Sequence, residues 1–135
     1  MKDILFIIGS KSDLDAVQPG IELIEEKKMT FTLEVISAHR NLDALIDYLR
    51  DHENDFRVIV TAAGLSAALP GVVASLTNKP VIGIPLVAGN LSGIDALLSI
   101  LQLPKGIPVA TMGIGKQGVL NAIHLSERII KHVSP

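Results

Sequence analysis

Three short segments of the 135-residue sequence collect the side chains able to do chemistry: "GSKSD" at 9–13, "SAHR" at 37–40 and "TAAGLSAALPG" at 61–71. In the first, Ser10 and Ser12 place two hydroxyls and Asp13 a carboxylate directly after the apolar run "ILFII". A turn that leaves a strand for a helix presents free backbone N–H groups and the positive end of the helix dipole, which together favour a phosphate. The two hydroxyls can add donors to that phosphate. Asp13 would repel it and instead suits the vicinal hydroxyls of a ribose. Capping of the helix by Ser12 or Asp13 would explain the same residues without a ligand. In the second segment His39 is the side chain best suited to exchange a proton near neutral pH. Arg40 beside it can hold a phosphate bidentately. A histidine simply satisfied within a turn is the alternative. In the third segment Gly64 lets a flat ring approach the backbone closely. The amides that follow could face a carboxylate or CO2, although a turn that only needs glycine fits as well.

The rest of the chain adds little chemistry. His52, His124 and His132 fall on expected helices or their ends and read as surface residues. Residues 90–115 read as packing, with Asp95 and Gln102 as exceptions. No Walker loop or GxGxxG supports binding of a nucleoside triphosphate or dinucleotide. No histidine–carboxylate pair has metal-ligand spacing, and no nucleophile elbow is present.

These segments need strands and helices to position them. "ILFII" (4–8), "FTLEV" (31–35), "VIVTA" (58–62), "VIGIPL" (81–86) and "VATMGI" (109–114) read as strands. The first, third and fourth are apolar on both faces, as central parallel strands are, whereas "FTLEV" alternates and fits an edge. Helices are expected over 14–27, from an Asn41 cap through Arg50, over 69–76 with Pro70 in the first turn, over 94–101, and over about 117–132. The helix over 94–101 is apolar nearly all round and is expected to be buried. Alternating units of this kind predict an α/β fold, a three-layer α/β/α sandwich around a flavodoxin-like five-stranded parallel sheet of order 2-1-3-4-5. Such folds bind ligands beyond the carboxyl ends of their strands. All three chemical segments fall there.

Composition narrows the function classes. The length predicts one domain spanning 1–135. Net charge is −2 with no basic block, and aromatic residues make up only 3%, so neither the electrostatics nor the stacking platform of a nucleic-acid protein is present. Cysteine is absent, which removes disulfides, thiolate catalysis and cysteine-held metals. No segment has the length of a membrane span, and the start lacks a signal-peptide pattern, so a cytoplasmic protein is expected. Hydrophobic residues reach 48% against 19% charged, which predicts surface covered by neighbouring subunits.

Taken in order, "GSKSD", "SAHR", "AG…LPG" and the long block "LSGIDALLSILQLPKGIPVATMGIGKQG" resemble the PurE family of purine biosynthesis, over about residues 4–131. The resemblance implies a homo-oligomer, usually an octamer, that interconverts 5-(carboxyamino)imidazole ribonucleotide and 4-carboxy-5-aminoimidazole ribonucleotide with no metal or organic cofactor. It implies that Ser10, Ser12 and Arg40 hold the phosphate and that Asp13 takes the ribose hydroxyls. His39 would be the general acid and base. Gly9, Ser37 and Ala38 would complete the substrate site, with Ala63, Gly64 and Leu65 along the imidazole and carboxylate. The "LSG" and "QLPKG" segments would reach a neighbour's site. Two alternatives stand beside the mutase: the related carboxylase, which takes the uncarboxylated ribonucleotide and CO2 directly, and a divergent ribonucleotide-binding paralogue without mutase activity. The loop "GLSAALPG" keeps them open, because the mutase class usually reads "GGAAHLPG" there. Leu65 stands at its second glycine and Ala68 at its histidine.

Overall fold

The structure, a computed structural model, describes residues 1–133. Four parallel strands form its sheet: β1 (Lys2–Ile8), β2 (Phe31–Val35), β3 (Phe56–Ala63) and β4 (Val81–Pro85), in the order β2-β1-β3-β4. Strands β1, β3 and β4 are buried almost throughout, and β2 lies at the edge with its side chains half covered. Helices α1 (Leu14–Glu26), α2 (Leu42–His52), α3 (Leu69–Ser75), α4 (Ile94–Leu101) and α5 (Gly115–Val133) cover both faces.

Strand pleating divides the core into two. Ile4, Phe6 and Ile8 of β1 point with Val58 and Val60 of β3 toward α1 and α5. Leu5, Ile7 and Ile59 point the other way, toward α2, α3 and α4. This is what a continuous apolar run provides: both sides of each strand have a helical layer to bury against. The one buried polar group of β3, Thr61, donates from Oγ1 to the Ile82 carbonyl at 3.1 Å, so its burial leaves no orphaned hydroxyl.

The expected fifth strand is not formed. Segment 109–114 touches β4 through a single bridge between Ile82 and Ala110, held by Gly83 N–H to Ala110 O at 2.8 Å and Ala110 N–H to Val81 O at 3.0 Å. Pro108 has no N–H to extend the ladder backward, and Gly113, at φ 121°, turns the chain away ahead. The sheet therefore has four strands, and the order follows 2-1-3-4 only. A second expectation also changes. Helix α4 buries Ala96 and Ile100, but Ile94, Leu98 and Leu101 are about half exposed. Among the described residues no helix is long and apolar enough to cross a membrane.

The strand register levels the site. Ile8 pairs with Val35 on one side and Ala62 on the other, and Ala63 pairs with Pro85. One further backbone bond caps each ladder: Gly9 N–H to Ala62 O, Ile36 N–H to Ile8 O and Leu86 N–H to Ala63 O. The four βα loops thus leave the sheet at one height.

Candidate functional site

At that edge lies a cavity of about 450 Å³, walled by loops from all four strands. Its size falls within the range of small-molecule sites, roughly 300–1,000 Å³. Each predicted site residue lies on its wall: Gly9, Ser10, Ser12 and Asp13 after β1; Ser37, Ala38, His39 and Arg40 after β2; Ala63, Gly64 and Leu65 at the end of β3. Ser66, Leu69 and Ala88 also line it and were not expected. Ser66 and Leu69 belong to the same glycine loop. Ala88 sits in "VAGN", whose place after the fourth apolar run was the only signal for it.

The first loop folds into a short 3-10 turn over Lys11–Asp13 before α1 begins. Ser10 is the residue that caps it. The Ser12 N–H donates to Ser10 Oγ at 3.3 Å, and the two hydroxyl oxygens stand 2.9 Å apart. Asp13 occupies the N-cap of α1 but makes no side-chain cap hydrogen bond. Capping by Ser12 or Asp13 is therefore not what these residues do, and the two serine hydroxyls converge on one spot. Burial raises the Asp13 carboxyl above its ordinary value, partly offset by a hydrogen bond from the Ser10 backbone.

The second loop is a turn closed by Ser37. Its Oγ accepts from the Arg40 N–H at 3.1 Å, and its carbonyl accepts from the Asn41 N–H at 2.9 Å. Asn41 starts α2 without a side-chain cap bond, so the expected cap is replaced by this Ser37 turn. The serine is spent on folding the turn, which leaves His39 and Arg40 exposed at the cavity rim. Among the described residues Arg40 forms no ion pair, so its guanidinium is available to an anion.

The third loop carries an unusual backbone. Leu65 has φ 56°, in the left-handed region that leucine rarely adopts. Gly64 packs so tightly that a methyl there would lie 2.9 Å from the Ala88 side chain. Strand order then sorts the cavity by chemistry. The neighbouring β2 and β1 loops bring Arg40, Ser10, Ser12 and Asp13; the β3 and β4 loops bring Ala63, Gly64, Leu65, Ser66, Leu69 and Ala88. One half is polar and anion-ready, the other apolar apart from the Ser66 hydroxyl.

A parallel sheet between two helical layers, with a sorted, ligand-sized cavity at its carboxyl edge, defines an α/β protein whose site is built from its βα loops. The particular family follows from comparison. The AIR carboxylase family profile matches residues 3–134, and the chain belongs to that family. It is 42% identical over 128 residues to the N5-carboxyaminoimidazole ribonucleotide mutase of Escherichia coli, covering 94% of this chain and 76% of that one. It is 44% identical over 131 residues to the protein of the same name from Pyrococcus abyssi, covering 96% and 74%. In fold it is similar to the crystal structure of Treponema denticola PurE, with a TM-score of 0.85 at 24% identity over 97% of this chain and 81% of that one.

Proposed function

We propose that this chain is a mutase of purine biosynthesis that moves a carboxylate from the exocyclic nitrogen of 5-(carboxyamino)imidazole ribonucleotide to the adjacent ring carbon. The observation that carries this reading is convergence: eleven positions from three separate loops meet in one sorted cavity. The names of the relatives point the same way.

The steps follow from the division of the cavity. Ser10, Ser12 and Arg40 hold the phosphate, and Asp13 accepts from the ribose hydroxyls, which lays the imidazole across Gly64. Protonated His39 gives its proton to the exocyclic nitrogen as the C–N bond breaks. The bonding pair stays on nitrogen and CO2 is released. The ring carbon, enriched in electrons by the free amine, attacks the CO2 and forms the C–C bond. Neutral His39 then takes the ring proton, which restores the aromatic ring and the starting imidazolium. One proton moves from carbon to nitrogen and one carboxylate moves from nitrogen to carbon. The protein supplies position, exclusion of water and a single proton relay.

The same reading carries a homo-oligomer, an octamer by resemblance, and a cytoplasmic location. Assembly is supported by the half-exposed apolar row Leu91, Ile94, Leu98 and Leu101, spaced three and four residues apart along one side of α4 and the turn before it.

Two assays test the function. The protein should convert the carboxyamino ribonucleotide without added bicarbonate. Activity seen only with the uncarboxylated ribonucleotide plus bicarbonate would replace the mutase with a carboxylase. His39→Asn should lower kcat by about 10²–10⁴ with the fold intact. Near-normal turnover in that variant would remove His39 from its role.

A further inference from the structure

Leu65 is the cavity-wall residue whose backbone fits its side chain least. It is 55% exposed, holds a left-handed backbone at φ 56°, and belongs to the apolar half of the site. Its side chain reaches across to the loop after β4. A methyl placed on Gly89 would lie 2.9 Å from Leu65 Cδ2, so leucine and glycine are in close contact, and Gly89 itself has φ 72°. Beneath them Gly64 and Ala88 already meet, since a methyl on Gly64 would lie 2.9 Å from Ala88 Cβ. The β3 and β4 loops are therefore joined twice: at the floor by Gly64 and Ala88, and above by Leu65 on Gly89. No other large side chain on the cavity wall comes from the outer part of these loops; Leu69 is buried at the start of α3.

This arrangement forms an apolar corner in which Leu65 is the large exposed side chain. CO2 has no net dipole, offers only weak acceptors, and is not retained by the polar half. Its retention depends on walls without gaps. We propose that Leu65 is the residue that keeps released CO2 inside the site, so that carbon–carbon bond formation outpaces escape. The proposal rests on the mutase reading above. It also accounts for a bulky residue in a backbone conformation that would suit glycine better. Leu65 touches the migrating group without taking part in proton transfer.

The balance of the reaction gives the readout. When CO2 escapes, cleavage of the C–N bond still consumes one proton and leaves the uncarboxylated aminoimidazole ribonucleotide. Re-entry of CO2 from solution then places external carbon in the product. The experiment compares wild type, Leu65→Gly and Leu65→Met in buffer containing 13C-bicarbonate. It measures 13C in the carboxylated product and the yield of uncarboxylated ribonucleotide per turnover. Leu65→Gly should raise both severalfold relative to wild type. Leu65→Met should stay near wild type, because methionine can fill the same space. A merely structural role for Leu65 would lower total turnover without changing the partition of CO2. Equal label and equal by-product in wild type and Leu65→Gly, both folded by circular dichroism, would overturn the proposal while leaving the mutase standing. If the wild-type protein fails to interconvert the two carboxylated ribonucleotides at all, the mutase reading falls and takes this proposal with it.

Discussion

Asp13 and Leu65 each sit in the site at some cost to the fold, and both costs can be measured. Burial raises the Asp13 carboxyl, so its charged form is less stable folded than unfolded. The unfavourable contribution is present at neutral pH and is relieved as pH falls through the raised folded value. It vanishes below the unfolded value, about 3.9. Asp13→Asn should therefore raise Tm slightly at pH 7, and this gain should be absent at pH 3. Binding has the opposite requirement, because the ionised carboxylate is the acceptor for ribose hydroxyls. In wild type, KM should begin to rise on acidification above the usual carboxylate range. Since phosphate also takes up a proton near pH 6, the comparison is with Asp13→Asn, whose KM should be higher at neutral pH and flatter with pH. For Leu65, leaving the left-handed region to glycine recovers about 1–2 kcal/mol. Against this stand the backbone entropy of glycine, roughly 0.5–1 kcal/mol, and the loss of a half-exposed side chain. Urea denaturation should place Leu65→Gly within about 1 kcal/mol of wild type. A loss of several kcal/mol would mean that the leucine is held for stability.

At the level of elements, the helix pair α1 and α5 is the closest packed. Gly20 of α1 lies against Val119, and a methyl there would fall 2.6 Å from Val119 Cγ1. Gly20→Ala gains helix propensity of about 1 kcal/mol but overpacks the junction by about 1–3 kcal/mol, so net destabilisation is expected in a urea titration. The same pair is joined at its far end by Lys27 Nζ and Glu127 Oε1, 3.0 Å apart, and Lys131 stands 3.6 Å from the other carboxylate oxygen. The hydrogen bond from Lys27 is the main cause that holds Glu127 below its ordinary value. Its contribution is present above the unfolded carboxylate value, about 4.3, and is lost as pH falls through the lower folded value. The Tm difference between wild type and Glu127→Gln should accordingly close as the pH is lowered through and below the ordinary carboxylate range. Much of this layer was readable in the sequence. Unbroken apolar runs identified β1, β3 and β4 because parallel strands bury both sides, and the polar loops fell on the predicted edge. "VATMGI" has the same apolar character but gains only one bridge, because proline on one side and a turning glycine on the other limit its pairing. Periodicity placed α4 correctly yet misjudged its burial, since an apolar residue reads alike whether its own chain or another covers it. The left-handed backbone of Leu65 had no signal, because side-chain type argues against it. Ser10 as the capping serine depended on a 3-10 turn that no periodicity reveals.

For the molecule as a whole, the apolar row on α4 carries the expectation of assembly. Leu98 is 51% exposed and in the middle of that row. Leu98→Glu should place a charge in any interface formed there without disturbing Ala96 or Ile100, which face the core. Sedimentation velocity should then show a smaller species than wild type, with unchanged circular dichroism. If both proteins sediment alike, α4 is not an interface.

The weakly paired segment after Pro108 has a consequence for how the molecule opens. Two backbone hydrogen bonds connect it to β4, yet it is the only covalent route from the sheet to α5. Amides of β1 and β3 sit in full ladders with helices on both sides and should exchange with solvent deuterium only on global unfolding. The Ala110 amide should exchange far sooner, through a local excursion that leaves the rest of the chain intact. In an assembled form that excursion would be suppressed if a neighbour covers the segment. Deuterium uptake around Ala110 would then report on subunit association without any mutation, while uptake in β1 would stay fixed.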